Sequence, residues 1–411
     1  MIFALFAAFL LFRIPNFTLI NHGWSDINLY KMLADRIMAG QTPYVDFPLE
    51  YPPLALIFFA VPGMVASVIG NFDIPYRLLM MLFDIGCLLL VGAIARQLSL
   101  EQDKKGRGMN AKRFGMPCFY AQIIYLALTA VSFQVLYDRF DIAVAFLVLL
   151  AIYFALAKNW LWAYIVIVLG AFTKLFPAIL LPIMVIYQIR RNKVSSVIRD
   201  FGIAVIAGLC LLIVSIALFG DWWGYMLEYH GRRGIQIESL YASIAMLTDF
   251  AGIKAVVEHE YGAYQITNAF SGPMTKASMV LMGCSILVVY IFSARKTRLI
   301  GNDNRRFVLA SLLALISFAL FNKVLSPQFF LWLFPLVSVL AVVSARKFLV
   351  IATWGVIAIL TTAIFPYSYR SLLSLDSAVA LLIARNALFA IAAVAGFMML
   401  ARDAKTVPPT S

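Results

Sequence analysis

Apolar positions along most of this chain follow no short alternation with polar ones. They come instead in long unbroken runs separated by short polar stretches. Thirteen runs can be read, at 2–20, 51–70, 78–95, 114–135, 142–157, 161–173, 176–189, 201–219, 277–294, 307–321, 328–344, 348–365 and 377–400. The hydrocarbon core of a bilayer is about 30 Å thick and takes about 20 apolar residues of helix. Shorter pieces are tolerated where helices are broken inside the protein. The pattern therefore predicts an all-α, polytopic membrane protein. The first run has neither a basic start nor a small-residue cleavage site, so it is expected to stay as an anchor.

One stretch has a different period. In DINLYKMLADRIMA, residues 26–39, the residues Ile27, Tyr30, Ala34, Ile37 and Met38 recur at helical spacing. This predicts a short amphipathic helix lying on the outer leaflet and stopped by Gly40. The run 51–70 opens with Tyr51-Pro52-Pro53 and is interrupted by Pro62-Gly63. Those breaks suit an interfacial or re-entrant segment better than a span. About twelve spans remain, in a single transmembrane domain over 1–401. Long loops are expected at 21–77 and 220–276, with a short polar tail at 402–411.

Composition narrows the function classes. Of 411 residues, 63% are hydrophobic and 13% are charged, about half the charge of an ordinary soluble domain. Mean hydropathy is +0.91. Soluble enzymes, nucleic-acid binders and secreted disulfide scaffolds are excluded. The four cysteines all lie in apolar runs, so no disulfide and no thiolate metal site is expected. The net charge of +13 is unevenly placed. Basic clusters occur at Arg96, Lys104, Lys105, Arg107, Lys112 and Arg113; at Arg190, Arg191, Lys193 and Arg199; at Arg295, Lys296, Arg298, Arg305 and Arg306; at Arg346 and Lys347; and at Arg402 and Lys405. All share one side if spans alternate from 78–95 onward. The excess of cations marks that side as cytoplasmic. Both termini then lie inside, and loops 21–77 and 220–276 lie outside.

The outward polar residues are the candidates for chemistry. Asp26 starts the amphipathic helix, where it or Ser25 could equally be a plain helix cap. Asp46 and Glu50 follow in a turn-rich loop and could converge with Asp26 or remain solvated loop acids. The turn YDRFD carries Asp138, Arg139 and Asp141, with the two acids on one face if the turn is helical; a cap plus a local ion pair is the alternative. Lys174 in TKLFP needs an anionic partner, either a protein carboxylate or a ligand phosphate. His230, Arg232, Arg233, Gln236 and Glu238 fall together in HGRRGIQIES. Paired external arginines suit either a ligand phosphate or anionic lipid headgroups. Lys323 is a further external cation. Asp84 and Arg385 sit at similar depth in their runs and could pair. The three histidines have no zinc-ligand spacing, and Asp26-x-Asn28 suggests a divalent metal only weakly.

Two functions fit this distribution. A transporter would place charged or broken segments near the bilayer midplane, whereas these candidates gather at the outer surface. An enzyme there must draw on a donor already carried by a lipid. External cations for phosphate, carboxylates for acid/base work and apolar surface for a lipid tail favour a transferase using a polyprenyl-phosphate sugar. A transporter or flippase of a lipid-linked or anionic substrate is the alternative.

The stretch GWSDINLYKMLADRIMAGQTPYVDFPLEYPPLALI resembles the start of the integral-membrane glycosyltransferases of the type C (GT-C) superfamily. Within it the likeness is to glycosyltransferase family 87, the polyprenyl-phosphate-mannose-dependent mannosyltransferases. The shared pattern is Asp26, Tyr30, Gly40, Pro43-Tyr44 and Tyr51-Pro52-Pro53-Leu54, followed by YDRFD, TKLFP, HGRRGIQIES and KVLSPQFFLW, over roughly 24 to 335. The first loop is also similar to the glycolipid-anchor mannosyltransferase, which has D-x-D where this chain has Asp26-Ile27-Asn28. The resemblance implies a GT-C fold and an inverting hexosyl transfer, mannose being the expected sugar. It makes Asp26 the general base and Lys174, Arg232, Arg233 and Lys323 candidates for the donor phosphate. Tyr30, Asp46, Glu50, Tyr51, Asp138, Asp141, His230, Gln236 and Gln328 are expected to contact donor or acceptor. The expected partners are a polyprenyl-phosphate-sugar donor, a lipid-linked or glycan acceptor and membrane lipids, with no cofactor and no nucleic acid. The expected setting is a bacterial plasma membrane with the active site on its extracytoplasmic face.

Overall fold

A computed structural model of the chain describes residues 2–18, 22–103, 115–295 and 303–403. Of the basic clusters, Lys104, Lys105, Arg107, Lys112, Arg113, Lys296, Arg298 and Lys405 lie outside the described residues. The main helices in chain order are α1 (Ile2–Arg13), α2 (Ile27–Met38), α3 (Ile57–Ile69), α4 (Asp73–Asp103), α5 (Gly115–Val131), α6 (Asp141–Leu156), α7 (Trp160–Thr173), α8 (Leu181–Ile189), α9 (Val194–Phe219), α10 (Trp222–Arg232) and α11 (Leu240–Phe250). A hairpin of β1 (Val256–Glu260) and β2 (Ala263–Thr267) comes next, then α12 (Ser271–Ala294), α13 (Asp303–Phe321), α14 (Phe330–Val342), α15 (Lys347–Thr362) and α16 (Ala378–Asp403). Among the described residues, six helices are long and apolar enough to cross a bilayer, and the other apolar ones are shorter. The protein is a polytopic membrane protein.

The residues group into two compact units, one of 9–90 and 133–232 and one of 1–8, 91–132 and 233–411. In the first, the amphipathic helix α2 is present as the spacing predicts, and part of its apolar face is packed inside the unit. Ile27, Tyr30, Leu33 and Ala34 are buried, and α2 packs against α3. A side chain on Gly63 would come within 2.9 Å of the Ala34 Cβ, so glycine is what permits this approach. The Pro62-Gly63 pair was expected to interrupt 51–70, yet α3 runs through it. Pro62 removes one backbone hydrogen bond, to the carbonyl four residues earlier, and both residues are buried in the packing that holds the helix. At 1.5 Å per residue α3 is about 20 Å long.

Charge pairing inside this unit also corrects the sequence. Asp84, set against Arg385 by depth alone, is instead gripped by Arg13, with Nε to Oδ2 at 2.6 Å and Nη2 to Oδ1 at 3.1 Å. Tyr137 donates to the same carboxylate at 2.7 Å. Depth in a run does not fix which neighbour a side chain faces, and Arg13 is a third charge within the apolar runs.

The second unit is a bundle centred on α13 and α14, which are buried almost all round, as a helix apolar on every face should be. In it Arg385 donates to the Glu238 carbonyl at 2.7 Å. Among the described residues the all-α expectation fails at β1–β2, an antiparallel hairpin in register Val257↔Ile266. Its turn residues Tyr261 and Gly262 both have positive φ, 49° and 65°, as a tight hairpin turn requires. The sequence signal was there, a Tyr-Gly step between stretches rich in β-branched residues, but it was hidden in a segment read as loop.

Candidate functional site

The strongest concentration of partnered charge lies in the unit of 9–90 and 133–232, where α2 begins. Ser25 is the side chain that accepts from the new helix, taking the Ile27 N–H at 3.2 Å. Asp26 makes no side-chain capping bond, so its carboxylate is not used as a cap. Asp138, in the turn before α6, holds this helix start with both oxygens. Its Oδ1 accepts from Ser25 Oγ at 2.9 Å and its Oδ2 from the Asp26 N–H at 3.2 Å. A carboxylate suits such a position because a helix N-terminus presents unpaired N–H groups and partial positive charge.

Two arginines complete the arrangement. Arg77 donates from Nη2 to Asp138 Oδ1 at 3.0 Å and from Nη1 to the Asn16 carbonyl at 2.9 Å. Arg139 forms a salt bridge with Asp26 and donates to the Trp24 carbonyl at 3.3 Å. Asp141 pairs with Lys174 Nζ at 2.7 Å, while that ammonium sits 5.3 Å from the centre of the Phe140 ring. Of the two anions the sequence allowed for Lys174, the structure provides the carboxylate. The three acids differ in exposure: the Asp26 side chain is 33% accessible, against 8% for Asp138 and 2% for Asp141. Burial pushes the Asp138 carboxyl up to about 6, with Arg77 and Ser25 opposing the shift.

An aromatic floor supports these charges. Tyr30 stacks on Phe59 at 4.9 Å, Phe58 on Phe140 at 5.6 Å, and Tyr51 meets Phe140 edge-on at 4.9 Å. Tyr30 is buried, and its phenol is raised chiefly by that burial; it shares a hydrogen bond with Tyr51. Tyr51 is likewise raised by burial and hydrogen-bonds Glu50. Tyr30 is part of the core that fixes α2. The expected convergence of Asp46 and Glu50 on Asp26 does not occur among the described contacts. Asp46 is exposed and closes its own turn, accepting from the Thr42 N–H at 2.6 Å. The exposed His230 ring lies 3.2 Å from the Glu50 carbonyl. Arg232 forms an exposed i,i+4 pair with Glu228 at 2.6 Å.

The remaining candidates belong to the unit of 1–8, 91–132 and 233–411. Lys323 Nζ donates to the Arg233 carbonyl, and both burial and the Arg233 charge hold the Lys323 ammonium below its usual range. The Arg233 Nε is buried without a hydrogen-bond partner. Gln236 is a brace. Its N–H donates to the Lys323 carbonyl at 2.9 Å, and its Oε1 accepts from the N–H groups of Glu238 at 3.1 Å and Leu325 at 3.3 Å. Gln328 is half-buried in the 3-10 turn Pro327–Phe329. Arg77 was not singled out from the sequence, where it is simply one cation at the edge of an apolar run. Among the described residues, no group of three or more His, Cys, Asp or Glu side chains gathers as a metal would need.

A family model described as glycosyltransferase family 87 matches residues 49–327. The match includes Glu50, Tyr51, Asp138, Asp141, Lys174, His230, Arg232, Arg233, Gln236 and Lys323; Asp26, Tyr30 and Asp46 precede it and Gln328 follows it. No curated protein matches the chain. The family model takes in well over half of the chain, and the helices that carry it include several long enough to cross a bilayer; the chain belongs to glycosyltransferase family 87 and is a membrane glycosyltransferase.

Proposed function

We propose that this enzyme transfers a hexose, mannose first among them, from a polyprenyl-phosphate sugar to a glycolipid or glycan acceptor, with inversion and with Asp26 as general base. The observation that carries the reading is the contrast among three neighbouring carboxylates. Asp138 and Asp141 are closed into buried ion pairs, whereas Asp26 is partly open, does not cap its own helix and is held from the backbone by Asp138. A base has to be fixed in place and still reach its substrate.

In this mechanism Asp26 takes the proton of the acceptor hydroxyl as that oxygen attacks the anomeric carbon. The bond from that carbon to the lipid-phosphate oxygen breaks on the opposite face, and the configuration inverts. Negative charge grows on the departing phosphate, so cations aimed at it stabilise the transition state more than the ground state. Arg233 and Lys323 are assigned this role. They are two cations brought together, with Lys323 disfavoured as a cation by burial and by its neighbour, and an anion would relieve both effects. Arg139 orients Asp26 through their salt bridge. No cofactor is assigned. The reading places about twelve spans in one transmembrane domain, both termini in the cytoplasm and the reaction on the extracytoplasmic face, following the distribution of basic clusters.

The test is to incubate the purified protein with polyprenyl-phosphate-mannose and a lipid-extract acceptor pool and to identify products by mass. A new species heavier by one hexose supports the reading. Release of free mannose alone, or no product with any polyprenyl-phosphate hexose, contradicts it.

A further inference from the structure

A groove runs along α13, α14, α15 and α16, with a cavity volume of about 490 Å³. This lies within the roughly 300–1,000 Å³ of small-ligand sites. Its walls are apolar, with Leu312, Trp354 and Met399 among them, and its mouth carries Arg305, Arg346 and Arg402. No Asp or Glu among the described residues lines it.

The chain's architecture puts all three arginines at one end. Arg305 lies in the first turn of α13, Arg346 directly precedes α15, and Arg402 lies in the last turn of α16. From the mouth the groove follows α13 as far as Ile316 and α16 back to Ile391. Each distance is about 16 Å along a helix axis, close to half the roughly 30 Å hydrocarbon thickness. The groove is therefore one leaflet deep. Gly396 forms part of its wall, and any side chain there would press to 2.7 Å from Leu313.

We propose that this groove binds an anionic glycerophospholipid, with one acyl chain along α13 and α16 and the headgroup phosphate among Arg305, Arg346 and Arg402. Depth matched to one leaflet selects a bilayer lipid over a water-soluble ligand. Three guanidinium groups with no carboxylate among the lining residues select an anionic headgroup over a zwitterionic one, since each offers paired donors to phosphate oxygens. Cationic pockets between membrane helices recognise anionic headgroups in this way. The test reads lipid binding directly and does not depend on turnover.

The full-length protein, purified in detergent and delipidated, would be titrated with phosphatidylglycerol and with phosphatidylcholine of the same acyl chains. Native mass spectrometry would read the lipid retained, and thermal unfolding would read the stabilisation. Phosphatidylglycerol should bind at least about tenfold more tightly than phosphatidylcholine, a difference of about 1.4 kcal/mol, and should raise the Tm. The pair Arg346→Gln and Arg402→Gln should abolish that preference, and the same pair changed to Lys should keep most of it. Ala392→Phe, which fills the groove without touching charge, should weaken both lipids. Should the double Gln variant fail to fold, Arg402→Gln alone must still reduce the preference, because that residue is exposed in a terminal turn. Equal affinity for the two lipids overturns the proposal, as does an unchanged preference in the Gln variants. A polyprenyl phosphate that displaces phosphatidylglycerol at equal concentration also overturns it.

Discussion

The two polar clusters of this protein handle charge in opposite ways. Around the start of α2, three carboxylates (Asp26, Asp138, Asp141) meet three cations (Arg139, Arg77, Lys174) one to one. Around Gln236, among the described residues, Glu238 forms an ion pair with Arg385 at 3.9 Å, beside Arg233 and Lys323. In the balanced cluster each carboxylate faces a cation, and Asp26 is held in a fixed and partly open position. The unbalanced cluster has an excess of positive charge in half-buried surroundings, which an anion would offset. On the proposed mechanism, the first cluster handles a proton and the second a phosphate.

Breaking the balanced cluster should have the largest effect on the fold. Asp138→Ala leaves Arg77 buried beside an emptied site, which costs on the order of 3–5 kcal/mol. Chemical denaturation in detergent should show the loss, while Asp138→Asn should keep more of the stability. Removing cations from the other cluster should act on donor binding instead. Arg233→Ala should weaken affinity for the polyprenyl-phosphate sugar by about 1.5–3 kcal/mol, as for a charge-assisted hydrogen bond, with little change in unfolding. An equilibrium titration with the donor would separate these outcomes.

A smaller effect sharpens the comparison through pH. The Asp138 carboxyl stands at about 6, above the roughly 3.9 of a free aspartate. The fold therefore binds this proton more tightly than the unfolded chain does. The associated stability is fully present below about pH 4 and is lost as pH rises through about 6. Function should run the other way. Protonation takes acceptor capacity from the carboxylate that holds Ser25 and the Asp26 N–H, so turnover should fall as pH drops through about 6. Asp138→Asn should remove that limb from the pH–rate profile. The smallest effect is expected at Arg232, whose exposed pair with Glu228 is worth about 0–1 kcal/mol. Arg232→Ala should leave stability and donor affinity near wild type, and a loss as large as that of Arg233→Ala would reassign the phosphate contact.

Much of this organisation was legible in the sequence. Long apolar runs gave the membrane helices because burial in lipid imposes a length and a composition. The spacing in 26–39 gave α2, and YDRFD and TKLFP pointed to the acids and the lysine that meet there. The choice of partner was not legible. Asp84 chose Arg13 over Arg385, and Lys174 chose Asp141, because pairing depends on which helix faces which, and a period along one helix carries no such information. Arg77 went unnoticed for the same reason. Nor does the sequence show that Tyr30 and Gln236 brace the fold, since a polar group in a matching string looks alike whether it packs inside or faces a ligand.

The central claim is that Asp26 is the base, and the sharpest measurement compares single-turnover hexose transfer by the wild type and by Asp26→Asn under saturating donor. Asparagine keeps the size and can still cap a helix about as well as aspartate, but it has no basicity. A positioned base contributes about 10²–10⁴ in rate, so transfer should fall by that factor while donor affinity and unfolding stay close to wild type. Transfer by the Asn variant at more than about a tenth of the wild-type rate would contradict the account and move the search for a base to Asp46, Glu50 and Asp138.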